Sequence, residues 1–215
     1  MKVSEKSLEL NIGAELLAKL RGPLGMPKAY LRGLTQKEER QEGVDFFVNL
    51  APGTRIFAFQ FKAPLGRYEK APYRYTLKRQ QHGALFQLAT ASPRAVFYVF
   101  PFYVTPEKLY EHVPSLAQDT WLLDVAEMDP TEVFGSNKTK VVRCQQDHAQ
   151  VNPKFDMLSL ANLSKDAVRG IPSEEFAGWH EMLRRSLAES RGHRNPWLVR
   201  GLRIAVVRPS ENSDV

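Results

Sequence analysis

The chain has 215 residues, a formal net charge of +6, 43% hydrophobic and 25% charged residues, which is the balance of an ordinary globular protein. That length supports one substantial core, or one core with a smaller appendage. No apolar run approaches the roughly 18 residues that a membrane-spanning helix needs, and a single cysteine, Cys144, excludes an intramolecular disulfide framework and a cysteine-based zinc cluster. A reducing, cytoplasmic setting is therefore expected, and the sequons at Asn137 and Asn162 read as chance matches. The start of the chain is amphipathic and acidic, unlike a secretion signal. The positive charge permits an anionic partner such as nucleic acid without requiring one, since a solvated surface rich in lysine and arginine has the same balance.

In chain order, Ser7 to Leu20 predicts a helix with Leu8, Ile12, Leu16, Leu17 and Leu20 on one stripe, ending near Gly22-Pro23. A Gly/Pro-punctuated connection follows. Thr35 with Glu38 fits a capping box, and Gly43 fits a helix stop, so residues 35–43 read as a short helix. The segments Val44–Leu50 and Arg55–Ala63 read as strands joined by Ala51-Pro52-Gly53-Thr54, an antiparallel hairpin. Both are apolar on both faces, which predicts a sheet covered on both sides by helices. A polar loop, "APLGRYEKAPYRY", precedes a helix over Thr76–Ala91 and a buried strand over Arg94–Tyr103. Thr105 as N-cap with Pro106 at the first helical position starts another short helix. "DTWLLDVAEM" and "KTKVVRCQQ" read as strands, Ser173–Ser190 as a helix with an apolar stripe, and "LRIAVVRP" as a late strand. The order predicts an α/β or α+β chain with C-terminal elaborations. A core over residues 1–110 and further strands and a helix over 111–215, packed on the same domain, is the expected division.

Three polar residues interrupt the apolar hairpin. Gln60 and Lys62, two apart, point to one face roughly 6.5–7 Å apart. Asp45 and Gln60 each lie about six residues from the turn, so the hairpin brings Asp45 to the same end. A lone buried ammonium or carboxylate costs several kcal/mol, so their convergence points to a site. A carboxylate and an amide oxygen suit Mg²⁺ or Mn²⁺. A lysine beside them can orient or deprotonate a water, or stabilise charge developing on a phosphate. That set fits phosphodiester hydrolysis. Taken singly, Asp45 could cap its strand, Lys62 could guard a sheet edge and Gln60 could be a hydrogen-bonded core amide.

The pattern "EGVDFFVNL…FAFQFKAP" resembles the PD-(D/E)XK nuclease superfamily, in which a helix, a strand bearing Asp and a strand bearing (Asp/Glu)-x-Lys are followed by a helix and a strand. It is similar to the Gln-x-Lys variant of that superfamily, found in Mrr-like restriction enzymes and in the end-cleaving subunit of a transposase. The resemblance covers about residues 7 to 105. It implies a restriction-endonuclease-like mixed central sheet flanked by helices, and a divalent-metal-dependent nuclease acting on DNA in preference to RNA. Asp45 and Gln60 would bind the metal and Lys62 would position the nucleophile. Glu39, preferred to Glu42, would be an auxiliary ligand from the preceding helix. Lys78, Arg79, Gln81 and His82, on the helix expected after the lysine strand, would bind nucleic acid, with Gln81 or His82 near the substrate. Because Gln60 replaces an anionic ligand with a neutral one, the alternative is a catalytically inactive nuclease-fold protein that binds nucleic acid or a protein partner. A partner could supply specificity, and a homodimer is common in the superfamily.

The arginine-rich stretch Arg184–Arg203, which includes Arg185, Arg194 and Trp197, could contact phosphate and stack a base, or could be a solvated helix face and loop. Cys144 and His148 have metal-like spacing but no second pair. His180 and His193 read as surface or packing residues.

Overall fold

The first helix shows how the chain builds its layers. In the computed structural model, which describes residues 2–25, 27, 29–33, 55–66, 70–91, 93–151, 154–164, 171–172 and 202–207, α1 spans Glu5–Arg21. The Ser4 side chain accepts from the Ser7 N–H and caps the start, while Lys19 and Arg21 complement the negative end. Leu8, Ile12, Leu16 and Leu20 form the buried stripe, each spaced by one turn. They pack on Phe57, Phe59 and Phe61 of β2 (Arg55–Phe61) and on Phe97 and Val99 of β4 (Val96–Pro101). Each such side chain contributes about 1.5–3 kcal/mol on burial.

Residues alternate along β2, so Ala58 and Gln60 face the opposite layer. That layer holds α2 (Arg79–Ala91) and a second sheet. Leu85 and Ala89 of α2 share a core with Tyr75 and Leu77 of β3 (Tyr73–Lys78) and with Val142 and Cys144 of β6 (Thr139–Gln145). The expectation that β2 is covered on both faces therefore holds. A second sheet, as well as helices, does the covering.

The larger sheet runs β1 (Tyr30–Gly33), β11 (Leu202–Val207), β2, β4, β5 (Thr120–Asp124), β9 (Leu158–Ser159). The short strand β10 (Ile171–Pro172) also pairs with β2. β2 and β4 are parallel, and the crossover between them carries β3 and α2. The other pairings of this sheet are antiparallel. The second sheet is antiparallel throughout, in the order β3, β6, β7 (His148–Gln150), β8 (Lys154–Asp156). Two short helices, α3 (Pro106–His112) and α4 (Pro130–Phe134), each begin with proline behind a capping Thr105 or Asp129. The described residues thus form an α+β fold around a mixed sheet.

Four expectations change. Residues 73–78 form a strand, so the helix expected from Thr76 begins at Arg79 and the loop expected before it ends earlier. Tyr73, Tyr75 and Leu77 alternate with Arg74, Thr76 and Lys78, and that period of two decides for strand. The buried strand expected over Arg94–Tyr103 shortens to Val96–Pro101, and the one expected over "DTWLLDVAEM" ends at Asp124. The hairpin between 44–50 and 55–63 has no edge of β2 left to use. One edge is taken by β11, opposite Arg55–Gln60, and the other by β4 and β10. The segments 35–43, 44–50 and 173–190 lie outside the described residues.

Candidate functional site

Gln60 and Lys62 sit where β2 ends, on the face toward α2. The Lys62 N–H donates to the Val99 carbonyl (3.0 Å), which extends the parallel register with β4 by one residue and fixes the direction of its side chain. Gln81 enters from the first turn of α2. The three side chains form one buried relay. The Lys62 Nζ donates to Gln81 Oε1 (2.7 Å), Gln81 Nε2 donates to Gln60 Oε1 (2.8 Å), and Gln60 Nε2 donates to the Phe61 carbonyl (3.1 Å). Lys62 is 8% exposed, Gln81 5% and Gln60 not at all. The Lys62 Nζ also lies 5.8 Å from the centroid of the Tyr98 ring, a cation–π approach.

Burial pushes the Lys62 ammonium down to a pKa of about 8; the Glu5 carboxylate opposes that shift and the Lys78 ammonium adds to it. Glu5 opens α1. Its carboxylate is held above the ordinary carboxylate range by burial, which the Lys62 charge and the Ala63 N–H partly offset. Glu9, one turn on, is 6% exposed and pairs with Lys6 at 3.5 Å. Glu5 was not singled out in the sequence. An acidic residue just after a capping serine is explained by the helix N-terminus alone, so nothing local marks it as a neighbour of Lys62.

The neighbouring His82 does something different. Its Nε2–H donates to the Met128 carbonyl (2.7 Å), which leaves Nδ1 to accept from the Tyr98 hydroxyl (3.0 Å). The ring stacks on Tyr98 at 5.8 Å and leans on Phe134 at 5.2 Å. Burial lowers its pKa, so it is neutral at pH 7. With both nitrogens used and no exposed surface, His82 ties α2 to β4 and to the turn before α4. Of the pair expected near substrate, Gln81 joins Lys62 and His82 joins the core.

Lys78 is exposed at the end of β3 and close enough to Lys62 and Glu5 to influence both. Arg79 donates to the Gly135 carbonyl (2.5 Å) and helps anchor the start of α2. Glu39, Asp45, Arg184, Arg185 and Arg194 lie outside the described residues. The strand expected to carry Asp45 lies outside the described residues, and the edges of β2 that the expected hairpin would use are occupied by β11 on one side and by β4 and β10 on the other. Among the described residues, no group of three His, Cys, Asp or Glu side chains comes together that could hold a metal ion. The amide of Gln60 is engaged at both its oxygen and its nitrogen. The described donors do not by themselves fit Mg²⁺ or Mn²⁺.

A cleft of about 740 Å³ opens elsewhere, with Tyr73, Phe102, Lys108, His112, Asp119 and Gln145 on its walls; none of Gln60, Lys62 and Gln81 lines it. Among the described residues no helix is long and apolar enough to cross a membrane. In comparisons with known proteins, no family model, no curated protein and no solved structure matches the chain.

Proposed function

We propose that the chain is a nuclease of the PD-(D/E)XK type in its Gln-x-Lys form, hydrolysing phosphodiester bonds of DNA with Mg²⁺ or Mn²⁺. The observation that carries this reading is the buried relay of Lys62, Gln81 and Gln60. A lysine near pKa 8 is held in one geometry by an amide from the next helix. The order of elements supports it: a strand bearing Gln-x-Lys, then α2, then the parallel strand β4. A restriction-endonuclease-like arrangement of the sheet belongs to the same proposal.

In this reading Lys62 is the working group. At pH 7 about one tenth of a pKa 8 ammonium is neutral. It can take a proton from water in that form, or hold a phosphate oxygen in its charged form. Gln81 is a positioning residue that aims the Lys62 Nζ, and Gln60 orients Gln81. Asp45, which lies outside the described residues, keeps the metal-binding role that the resemblance implies. Glu5, on the first helix and beside Lys62, takes the auxiliary role first expected of Glu39.

A second reading is favoured by one observation. The Gln60 amide is satisfied within the protein, at the position where the superfamily more often carries an anionic ligand. On that reading the chain is a catalytically silent nuclease-fold protein that binds nucleic acid or a protein partner. Calorimetry with Mn²⁺, together with a DNA-cleavage assay, separates the two. Metal binding lost in Asp45→Ala, with cleavage lost in Lys62→Ala, supports the nuclease. DNA binding without metal binding or cleavage supports the silent protein.

A further inference from the structure

The outer face of the second sheet carries a row of cations that the relay does not use. In the register of its four strands, Arg74 of β3 lies opposite Arg143 of β6, Arg143 opposite Gln150 of β7, and Gln150 opposite Lys154 of β8. Directly opposed residues point to the same face. All four are exposed, while their neighbours Tyr75, Val142, Ala149 and Phe155 are buried. One line across the sheet therefore presents Arg, Arg, Gln and Lys to solvent. At the usual strand spacing it is about 14 Å long, close to the rise of four nucleotides along one strand of B-DNA.

Two arginines directly opposite one another repel, and a sheet gains nothing from the pairing. Among the described residues no salt bridge reaches Arg74 or Arg143. A pocket of about 290 Å³ opens between them, with Lys70, Tyr73, Pro72 and Leu65 as its other walls and no acidic side chain among these. Among the described residues of this sheet, the acidic side chains stand to one side. Asp156 is one row over, opposite His148, and Asp147 in the β6–β7 turn is bonded to His148 and also feels Lys154. On the other side the next outward rows are Thr76 with Val141, then Lys78 with Thr139, so the positive face continues toward Lys78.

We propose that this face docks the phosphate backbone of a nucleic acid. Phosphate oxygens would enter between Arg74 and Arg143, whose forked guanidinium groups match them. Lys154 and Lys70 would contact phosphates on either side, and Gln150 would donate from its amide. This goes beyond the cleavage reading and does not require it, because the contacts need neither metal nor the relay. They also carry no base reading, so binding through them is independent of sequence.

The test measures binding of a fluorescent 20-mer DNA, in EDTA, over a range of salt concentrations. It compares the wild type with Arg74→Gln/Arg143→Gln and with Lys2→Gln/Lys108→Gln, a control that removes the same charge elsewhere. A parallel arm uses phosphatidylserine vesicles. The expected result is that the arginine variant binds at least about tenfold more weakly, and that its log–log salt slope falls by about two. The control should bind and respond to salt like the wild type, and vesicles should not compete for DNA. The melting temperature of the arginine variant should match or exceed the wild type, which shows that the fold is intact. Wild-type affinity and slope in the arginine variant would overturn the proposal. So would an equal loss in the control, an absence of DNA binding by the wild type, or vesicle binding without DNA binding. Cleavage is not read, so failure of the nuclease reading leaves this result standing.

Discussion

Lys62 and the Arg74–Arg143 pair put cations on neighbouring layers of one molecule, in opposite circumstances. Lys62 is 8% exposed, and its ammonium is committed to Gln81 and, through it, to Gln60. The arginines face water directly opposite each other. A buried cation must be satisfied from within, so its surroundings are fixed by the fold and its pKa moves. An exposed one keeps its charge and its hydrogen-bonding capacity for a ligand. The first environment suits proton transfer or precise placement, and the second suits capture of a polyanion.

The contrast makes unequal demands on stability. Gln81→Leu should have the largest effect, because it strands a buried ammonium and also deprives the Gln60 oxygen of its donor. Chemical denaturation should show a loss of about 3 kcal/mol or more. Adding Lys62→Met to that variant should recover much of the loss, because the orphaned charge goes with it. A double variant no more stable than Gln81→Leu alone would mean that the relay is not the source of the cost.

The pH dependence of Lys62 comes next. Its folded pKa, about 8, lies below that of an unfolded lysine, so between the two values the unfolded chain binds more protons. Stability from this group therefore rises as pH climbs from about 8 to about 10.4, by as much as about 3 kcal/mol, and is flat below 8. Denaturation curves at pH 7, 8, 9 and 10 should show the rise in the wild type and not in Lys62→Met. Parallel profiles for the two proteins would sink the assignment. His82 acts at the other end of the scale. Burial holds its folded pKa below that of a free histidine, so the unfolded chain binds the extra proton. Its contribution is lost as pH falls below about 6.5, and His82→Gln should flatten that acid limb.

Removing the arginine pair should have the smallest effect on folding. Arg74→Gln/Arg143→Gln should leave stability unchanged, or raise it by up to about 1 kcal/mol as the repulsion disappears. A large destabilisation would mean that these arginines hold the sheet together and would blur the contrast with Lys62.

The sequence made the local elements legible. The stripe of α1, the Thr105-Pro106 start of α3, the apolar run of β4 and the late strand β11 all stand close to where their patterns put them. What it hid was non-local. Two strands near in sequence are expected to pair, yet β2 takes residues 202–207 on one edge and 96–99 on the other. Polar residues in an apolar strand marked Gln60 and Lys62, and the order of elements marked Gln81. Glu5 carried no mark, because an acidic first turn already has a local reason. The row of outward polar and cationic residues was equally hidden, since Arg74, Arg143, Gln150 and Lys154 align only through the register of four strands, of which β3 read as loop running into helix and β7 and β8 carried no strand expectation.

The nuclease reading itself meets its most direct test in cleavage. Incubate single- and double-stranded DNA and RNA with wild type, Asp45→Ala and Lys62→Ala, each with Mg²⁺, with Mn²⁺ and with EDTA. The expected result is cleavage of DNA by the wild type with either metal and none in EDTA, with both variants slower by at least about 100-fold. Equal activity in all three proteins, or none in the wild type with either metal, would contradict it.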